Sequence, residues 1–323
     1  MGETYVCGPL AVTVAASHPV LKAKVCESLD LYTVAWPPPH TPMHIRIDTV
    51  ESAAPSARGT FLTCARMRVD AVDAELYATC VSGVAIAASS DAQRWSITVP
   101  AATLNGVVPE DIEDLVGLAL TTGWRRVGWV PIHAAAVVRD ADCAILCAPS
   151  GGGKSTLTAA LIRRGWRTLG DDKLLLRLGV GGQPELAALL HTFNLHPQTR
   201  EWFPEVGDLE RLPRYSAWTE KRKVRIEAIW PASAQSHARP TRLVQLVRNA
   251  NAAAELQVSP MGGQDVLDIL LRQTVIPTHR KTAAAVLASV VPTARSLTGI
   301  RVEIGGRIFH DPRALAELEA ALA

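Results

Sequence analysis

HAAAVVRDADCAILCAPSGGGKSTLTAALIRRGWRTLGDDKLLLRL, residues 133–178, is the stretch that decides how this chain is read. Ala134–Val138 and Cys143–Cys147 are short apolar runs joined by Arg139-Asp140-Ala141-Asp142, which reads as two buried strands and a turn. Pro149-Ser150-Gly151-Gly152-Gly153-Lys154-Ser155-Thr156 follows. Beyond it Leu157, Ala160 and Leu161 recur on one helical face, Arg163 and Arg164 suit a last turn, and Gly165 suits the cap. A glycine-rich loop therefore joins a buried strand to a helix.

That arrangement fits a phosphate-binding loop. Glycines let the backbone curl and point successive N–H groups at phosphate oxygens, and the helix start adds partial positive charge. Ser150, Gly151, Gly152, Gly153, Lys154, Ser155 and Thr156 are the expected nucleotide-binding residues. Lys154 would reach the β- and γ-phosphates, and the Ser155 hydroxyl would ligate Mg²⁺. The chain departs from the full pattern at one place, with Ala148 where a glycine is usual. Asp171 and Asp172 come next, at the edge of the apolar run Leu174-Leu175-Leu176. Magnesium held by few protein oxygens needs a carboxylate near the phosphates, and a kinase needs a base for the attacking hydroxyl. Two adjacent acids divide these tasks. His133 stands before the first strand, either as a donor to the transferring group or as a structural histidine.

Outside this stretch the chain is less specific. Its 323 residues predict about two domains. Thirty-three basic against 31 acidic residues leave a net charge of +2, which argues against a dedicated nucleic-acid binder. No apolar run approaches a membrane span. The opening MGETYVCGPL has no basic stretch before a long apolar core, so no signal peptide is expected, and Val6 breaks the myristoylation pattern. Cys7, Cys26, Cys64, Cys80, Cys143 and Cys147 form no C-x-x-C pair, so reduced thiols and a cytoplasmic location are expected.

Residues 1–106 read mostly as strands, among them Tyr5–Ala15, His44–Val50, Thr60–Val69 and Ala78–Ile86, with a docking or oligomer role. Pro109-Glu110-Asp111 opens a helix with Ile112, Leu115, Val116 and Ala119 on one face. The second domain is expected over 107–323, ending in helices near Gln264–Arg272, Lys281–Val291 and Arg313–Leu322. The basic run Lys221-Arg222-Lys223-Val224-Arg225 is either a solvated face or a site for nucleotide phosphates or an acidic substrate tail. Trp202 and Phe203 belong to the core or to a substrate groove.

A histidine before a hairpin, an S-G-x-G-K-S loop and an Asp-Asp pair at this spacing resemble the catalytic domain of the bacterial HPr serine kinase/phosphorylase family. The resemblance covers His133 to Leu178. It implies an α/β fold with a kinase core like that of phosphoenolpyruvate carboxykinase, preceded by a strand-rich α+β domain. It implies phosphoryl transfer from ATP with Mg²⁺ to a hydroxyl, often a serine of a peptide or protein. Asp172 would be the base and Asp171 would support the metal. Two family features are missing. No glutamate of an E-x-R-G-x-G stretch occurs near His191–His196, which puts a phosphorylase half-reaction in doubt. The P-x-x-P-G-R-N signature is echoed only by Ile276-Pro277-Thr278-His279-Arg280, making Arg280 the candidate for steadying transferred charge. The chain thus looks like a divergent member whose partner is a peptide or protein substrate, with no nucleic acid or membrane and with a homo-oligomer expected. The alternatives are a nucleotide-binding regulatory protein without phosphotransfer and a small-metabolite kinase.

Overall fold

In the computed structural model, residues 3–33, 35–51, 60–63, 67–72, 75–89, 91–106, 109–189, 192–215, 219–249, 255–274, 280–305 and 307–323 are described. The chain divides into two units, 1–129 with 276–286 and 130–275 with 287–323. The architecture is mixed α/β with several sheets.

The first unit contains β1 (Thr4–Cys7), β2 (Leu10–Ala16), α1 (Pro19–Asp30), β3 (Thr41–Val50), β4 (Thr60–Thr63), β5 (Met67–Val72), β6 (Glu75–Cys80), β7 (Ala85–Ala88), β8 (Arg94–Pro100) and α2 (Pro109–Arg126). The eight strands form one sheet in the order β1-β2-β3-β8-β7-β6-β5-β4. Period-2 alternation sets its faces: Met43, Ile45 and Ile47 of β3 and Trp95, Ile97 and Val99 of β8 are buried, while His44, Arg46 and Arg94 are not. The buried Trp124 of α2 donates its indole N–H to the Cys7 carbonyl at 2.9 Å, so its polar edge is satisfied.

Three expected strands are each two. Tyr5–Ala15 folds back at Gly8-Pro9, Thr60–Val69 divides into β4 and β5, and Ala78–Ile86 turns at Val81–Gly83. Apolar runs on both sides of a very short turn look continuous in sequence. Helix α1 was not expected at all. It buries Leu21, Val25, Ser28 and Leu29, and the His18 ring caps its start by accepting the Val20 N–H. The sequence reading placed the domain division at 106/107, ahead of α2; α2 packs on α1 and falls in the first unit.

The second unit contains β9 (Val130–Ile132), β10 (Ala135–Arg139), β11 (Asp142–Cys147), α3 (Lys154–Arg163), β12 (Arg167–Gly170), β13 (Leu174–Leu178), β14 (Pro184–Ala188), β15 (Thr192–Leu195), β16 (Arg222–Arg225), α4 (Ile226–Ile229), β17 (His237–Ala238), β18 (Arg242–Arg248), β19 (Leu256–Met261), α5 (Gly263–Arg272), the later turns of α6 (Arg280–Ser296), β20 (Thr298–Ile304) and α7 (Pro312–Leu322). A six-stranded sheet runs β12-β10-β11-β18-β20-β19, with β11, β18 and β20 mutually parallel. A four-stranded antiparallel sheet runs β17-β14-β13-β9, and β15 pairs with β16 as a ribbon. Leu157 and Leu161 of α3 join Trp166, Phe193, Val244, Val302 and Leu318 in one core.

A buried polar cluster closes this core. Glu319 of α7, only 7% exposed, accepts the Trp166 indole N–H at 2.9 Å and pairs with Arg139 at 3.1 Å and with Arg164. Arg139 also lies over the Trp166 ring, 4.4 Å from its centroid.

Candidate functional site

The three parallel strands end on the same side of the six-stranded sheet, where open α/β sheets present loops and helix starts to ligands. A cavity of about 290 Å³ lies there. The loop after β11, Arg248 at the end of β18 and Ile304 at the end of β20 all line it.

The loop enters α3 through Gly153, which caps the helix in the left-handed region at φ 94°. Lys154, Ser155 and Thr156 are therefore the first helical residues, whose N–H groups have no partner within the helix. The Ala148 departure has a local explanation. An ideal Cβ on residue 152 would sit 2.8 Å from the Ala148 Cβ and 3.0 Å from the Pro149 carbonyl. The alanine methyl occupies space that Gly152 leaves free. Lys154 is buried, donates to the Ala148 carbonyl at 2.7 Å, and has its ammonium pKa held down by that burial.

Sheet crossovers bring the other groups in. The chain passes from the four-stranded to the six-stranded sheet at His133–Ala134, and back at Asp171–Lys173. The registers Ile132↔Leu174 and Ala136↔Gly170 set these two crossovers face to face. His133 Nδ1 consequently lies 3.2 Å from Asp172 Oδ1, while Nε2 lies 3.5 Å from Lys154 Nζ. An ammonium only donates, so Nε2 faces it as acceptor and the ring proton sits on Nδ1, toward the carboxylate. Burial, aided by Lys154 and Lys173, holds the His133 pKa below the usual imidazole range against the pull of Asp172.

The two aspartates occupy contrasting surroundings. Asp171 is 1% exposed; its Oδ2 accepts the Asn194 N–H at 3.2 Å, and its Oδ1 is buried with no well-formed hydrogen bond among the described residues, the Ser155 hydroxyl lying close to the carboxylate. Burial pushes its pKa up to about 7, with Asp172 adding to the rise and the Ser155 hydroxyl and Asn194 N–H opposing it. Asp172 is partly exposed and held by His133. Among the described residues no group of three or more His, Cys, Asp or Glu side chains is placed to hold a metal. The Asp171 carboxylate, close to the Ser155 hydroxyl and with Oδ1 unsatisfied among the described residues, fits a magnesium ion that takes few protein oxygens and completes its shell with phosphate and water.

Every residue expected for nucleotide binding lines this cavity, as do His133, Asp171 and Asp172. Arg280 opens α6, but its side chain lies outside the described residues, as do Ile276–His279, Cys64 and Trp218. Of the two ambiguous aromatics, Trp202 lines the cavity, its ring 5.2 Å from that of Phe309, whereas Phe203 is core. Asn194, Gln198, Arg248 and Phe309 line the cavity without having been singled out in the sequence. Their place depends on strand pairing, which leaves no local motif. Cys143 and Cys147 are free and buried, with thiol pKa values pushed up to about 12, which suits packing better than ligation. Among the described residues no helix is long and apolar enough to cross a membrane.

No protein-family description matches the chain, and no curated protein matches it. Among solved structures, the HPr(Ser) kinase/phosphatase from Coxiella burnetii aligns over 59% of this chain and 96% of its own, with 11% identity and a TM-score of 0.34.

Proposed function

We propose that this protein is an ATP- and Mg²⁺-dependent kinase with a P-loop kinase core, transferring the γ-phosphoryl group to a hydroxyl of a peptide or protein, with serine the favoured acceptor. The observation that carries this reading is the pair of unlike carboxylates beside the glycine-rich loop. Asp171 is buried close to Ser155 with one oxygen unsatisfied among the described residues; Asp172 lines the cavity and is held by His133.

The roles follow from those surroundings. The loop N–H groups and Lys154 bind the phosphates. Ser155 and Asp171 would hold Mg²⁺, which would supply neutralisation of the phosphate charge. The Asp172 carboxylate orients the acceptor hydroxyl and takes its proton as the oxygen bonds to the γ-phosphorus and the bond to the ADP oxygen breaks. His133 acts through Asp172. Its Nδ1–H fixes one carboxylate oxygen and leaves the other for the acceptor. This assignment replaces a direct contact of His133 with the transferring group, because both ring nitrogens face protein groups.

A second reading, nucleotide binding without transfer, draws support from Lys154, whose ammonium is already engaged by the Ala148 carbonyl. One experiment separates the two. Purified protein with Mg²⁺ and γ-labelled ATP is incubated with fractionated extract of the source cells, beside Lys154→Ala and Asp172→Asn. Label reaching an acceptor with the wild type alone supports the kinase. Tight ATP binding with no transfer, and with Asp172→Asn indistinguishable from wild type, favours nucleotide-regulated binding.

A further inference from the structure

The basic run Lys221–Arg225 divides sharply in the fold. Arg222 donates to the Leu212 carbonyl at 3.2 Å, Lys223 lies over the Tyr215 ring 5.9 Å from its centroid, and Val224 is buried in the core. These residues hold the chain in place. Lys221 alone of the run lines the phosphate-loop cavity, and its ammonium has no hydrogen-bond or ion-pair partner among the described residues.

Its position is fixed by backbone. The Lys221 N–H donates to Thr219 Oγ1 at 3.2 Å, and its carbonyl accepts the Tyr215 N–H at 2.9 Å. Glu220 beside it pairs with His196 at 3.2 Å. The next residue enters β16, where Arg222 pairs with Leu195 of β15. The residue before Leu195 is Asn194, whose N–H holds Asp171. One two-stranded ribbon therefore carries both the clamp on Asp171 and the free ammonium. The charge of Lys221 also reaches the centre, lowering the pKa of both Asp171 and Lys154.

The charge balance calls for such a group. Lys154 is the one buried cation facing Asp171 and Asp172, Arg248 lines the cavity from the exposed end of β18, and the His133 ring is neutral in the tautomer its neighbours require. Phosphoryl transfer spreads negative charge over three equatorial oxygens. We propose that Lys221, set deeper than the exposed Arg248, joins Lys154 in contacting the oxygens of the phosphoryl group in flight. The inference rests on the phosphotransfer reading above. It assigns to the β15–β16 ribbon the task that the sequence suggested for Arg280.

Aluminium fluoride with Mg·ADP mimics the group in flight and needs no acceptor, so it tests the contact directly. Calorimetry would compare Mg·ADP binding with and without aluminium fluoride for the wild type, Lys221→Met, Lys221→Arg and Lys223→Met. The wild type should bind about 100-fold more tightly with fluoride. Lys221→Met should lose nearly all of that increment while Mg·ADP affinity stays within about threefold, since the contact is specific to the transferring group. Lys221→Arg should recover most of the increment, and Lys223→Met should keep it. An increment undiminished in Lys221→Met overturns the assignment. So does its absence in a wild type that binds Mg·ADP, or loss of Mg·ADP binding itself in both Lys221 variants. A wild type that does not bind Mg·ADP instead removes the phosphotransfer reading.

Discussion

Of two cavities among the described residues, the larger is in the unit with the poorer chemistry. About 670 Å³ lies on the open face of the first unit's sheet, against about 290 Å³ at the glycine-rich loop. The walls of the larger one come from neighbouring strands: Thr13, His44 and Arg94 lie in register along one sheet face, Ser96 stands opposite Arg46 in the next row, and Arg46 is paired with Asp48. Such a face is what a half-buried sheet turns to water. The smaller cavity collects groups from two sheet crossovers, a loop and a separate ribbon, and these groups leave one another incompletely satisfied. Asp171 keeps an orphan oxygen, and Lys221 keeps an unpaired ammonium among the described residues. Convergence of polar groups, more than volume, distinguishes the candidate site.

The strongest way to break that contrast is to exchange charges in both cavities. Lys154→Ala and Asp172→Asn should each lower phosphoryl transfer by about a thousandfold or more, with Asp172→Asn still binding ATP. Arg94→Ala in the larger cavity should leave the rate within about twofold. Labelled-ATP transfer and equilibrium ATP binding read both. Equal losses in the two cavities would erase the contrast between them.

The loop offers a sharper probe with a built-in rescue. Gly152→Ala should weaken nucleotide binding by about 100-fold, because its new methyl meets the Ala148 methyl and the Pro149 carbonyl. Adding Ala148→Gly should restore much of the loss by removing the first contact. A double variant no better than the single one would show that the Pro149 carbonyl sets the limit.

Stability separates packing from function inside the second unit. Glu319→Ala should cost about 2 kcal/mol in denaturant unfolding, since it strips a buried carboxylate from Trp166, Arg139 and Arg164 while the arginines remain partly solvated. Nucleotide affinity should not change.

An effect of similar size that appears only at high pH concerns Asp171, whose folded pKa of about 7 lies above its ordinary 3.8. A raised carboxyl pKa means the folded state favours the proton, so its stabilising contribution is complete below the unfolded pKa and is lost as pH rises through about 7. Asp171→Asn should therefore melt about 5 °C higher than wild type near pH 8 in the absence of nucleotide, and no higher near pH 4. Scanning calorimetry at the two pH values decides it; a gain at low pH alone would reverse the sign.

Much of this site could be read before any fold was known, for a physical reason. A glycine-rich loop between a strand and a helix is local: Gly152 and Gly153 act on their immediate neighbours, and Lys154 and Ser155 follow from the helix they begin. The Asp171-Asp172 pair was visible for the same reason. What tertiary structure decided is everything that depends on pairing at a distance. The sequence could not separate Lys221 from Arg222 and Lys223, because only the β15–β16 register shows which cation faces the cavity. It left His133 open between two roles until the registers of β9 and β10 placed it between Asp172 and Lys154. It joins strands across short connections and carries no local sign of α1, whose partner α2 lies far along the chain. Local sequence determined the chemistry of the loop. Strand register, set by the burial of many side chains together, decided which distant groups meet it.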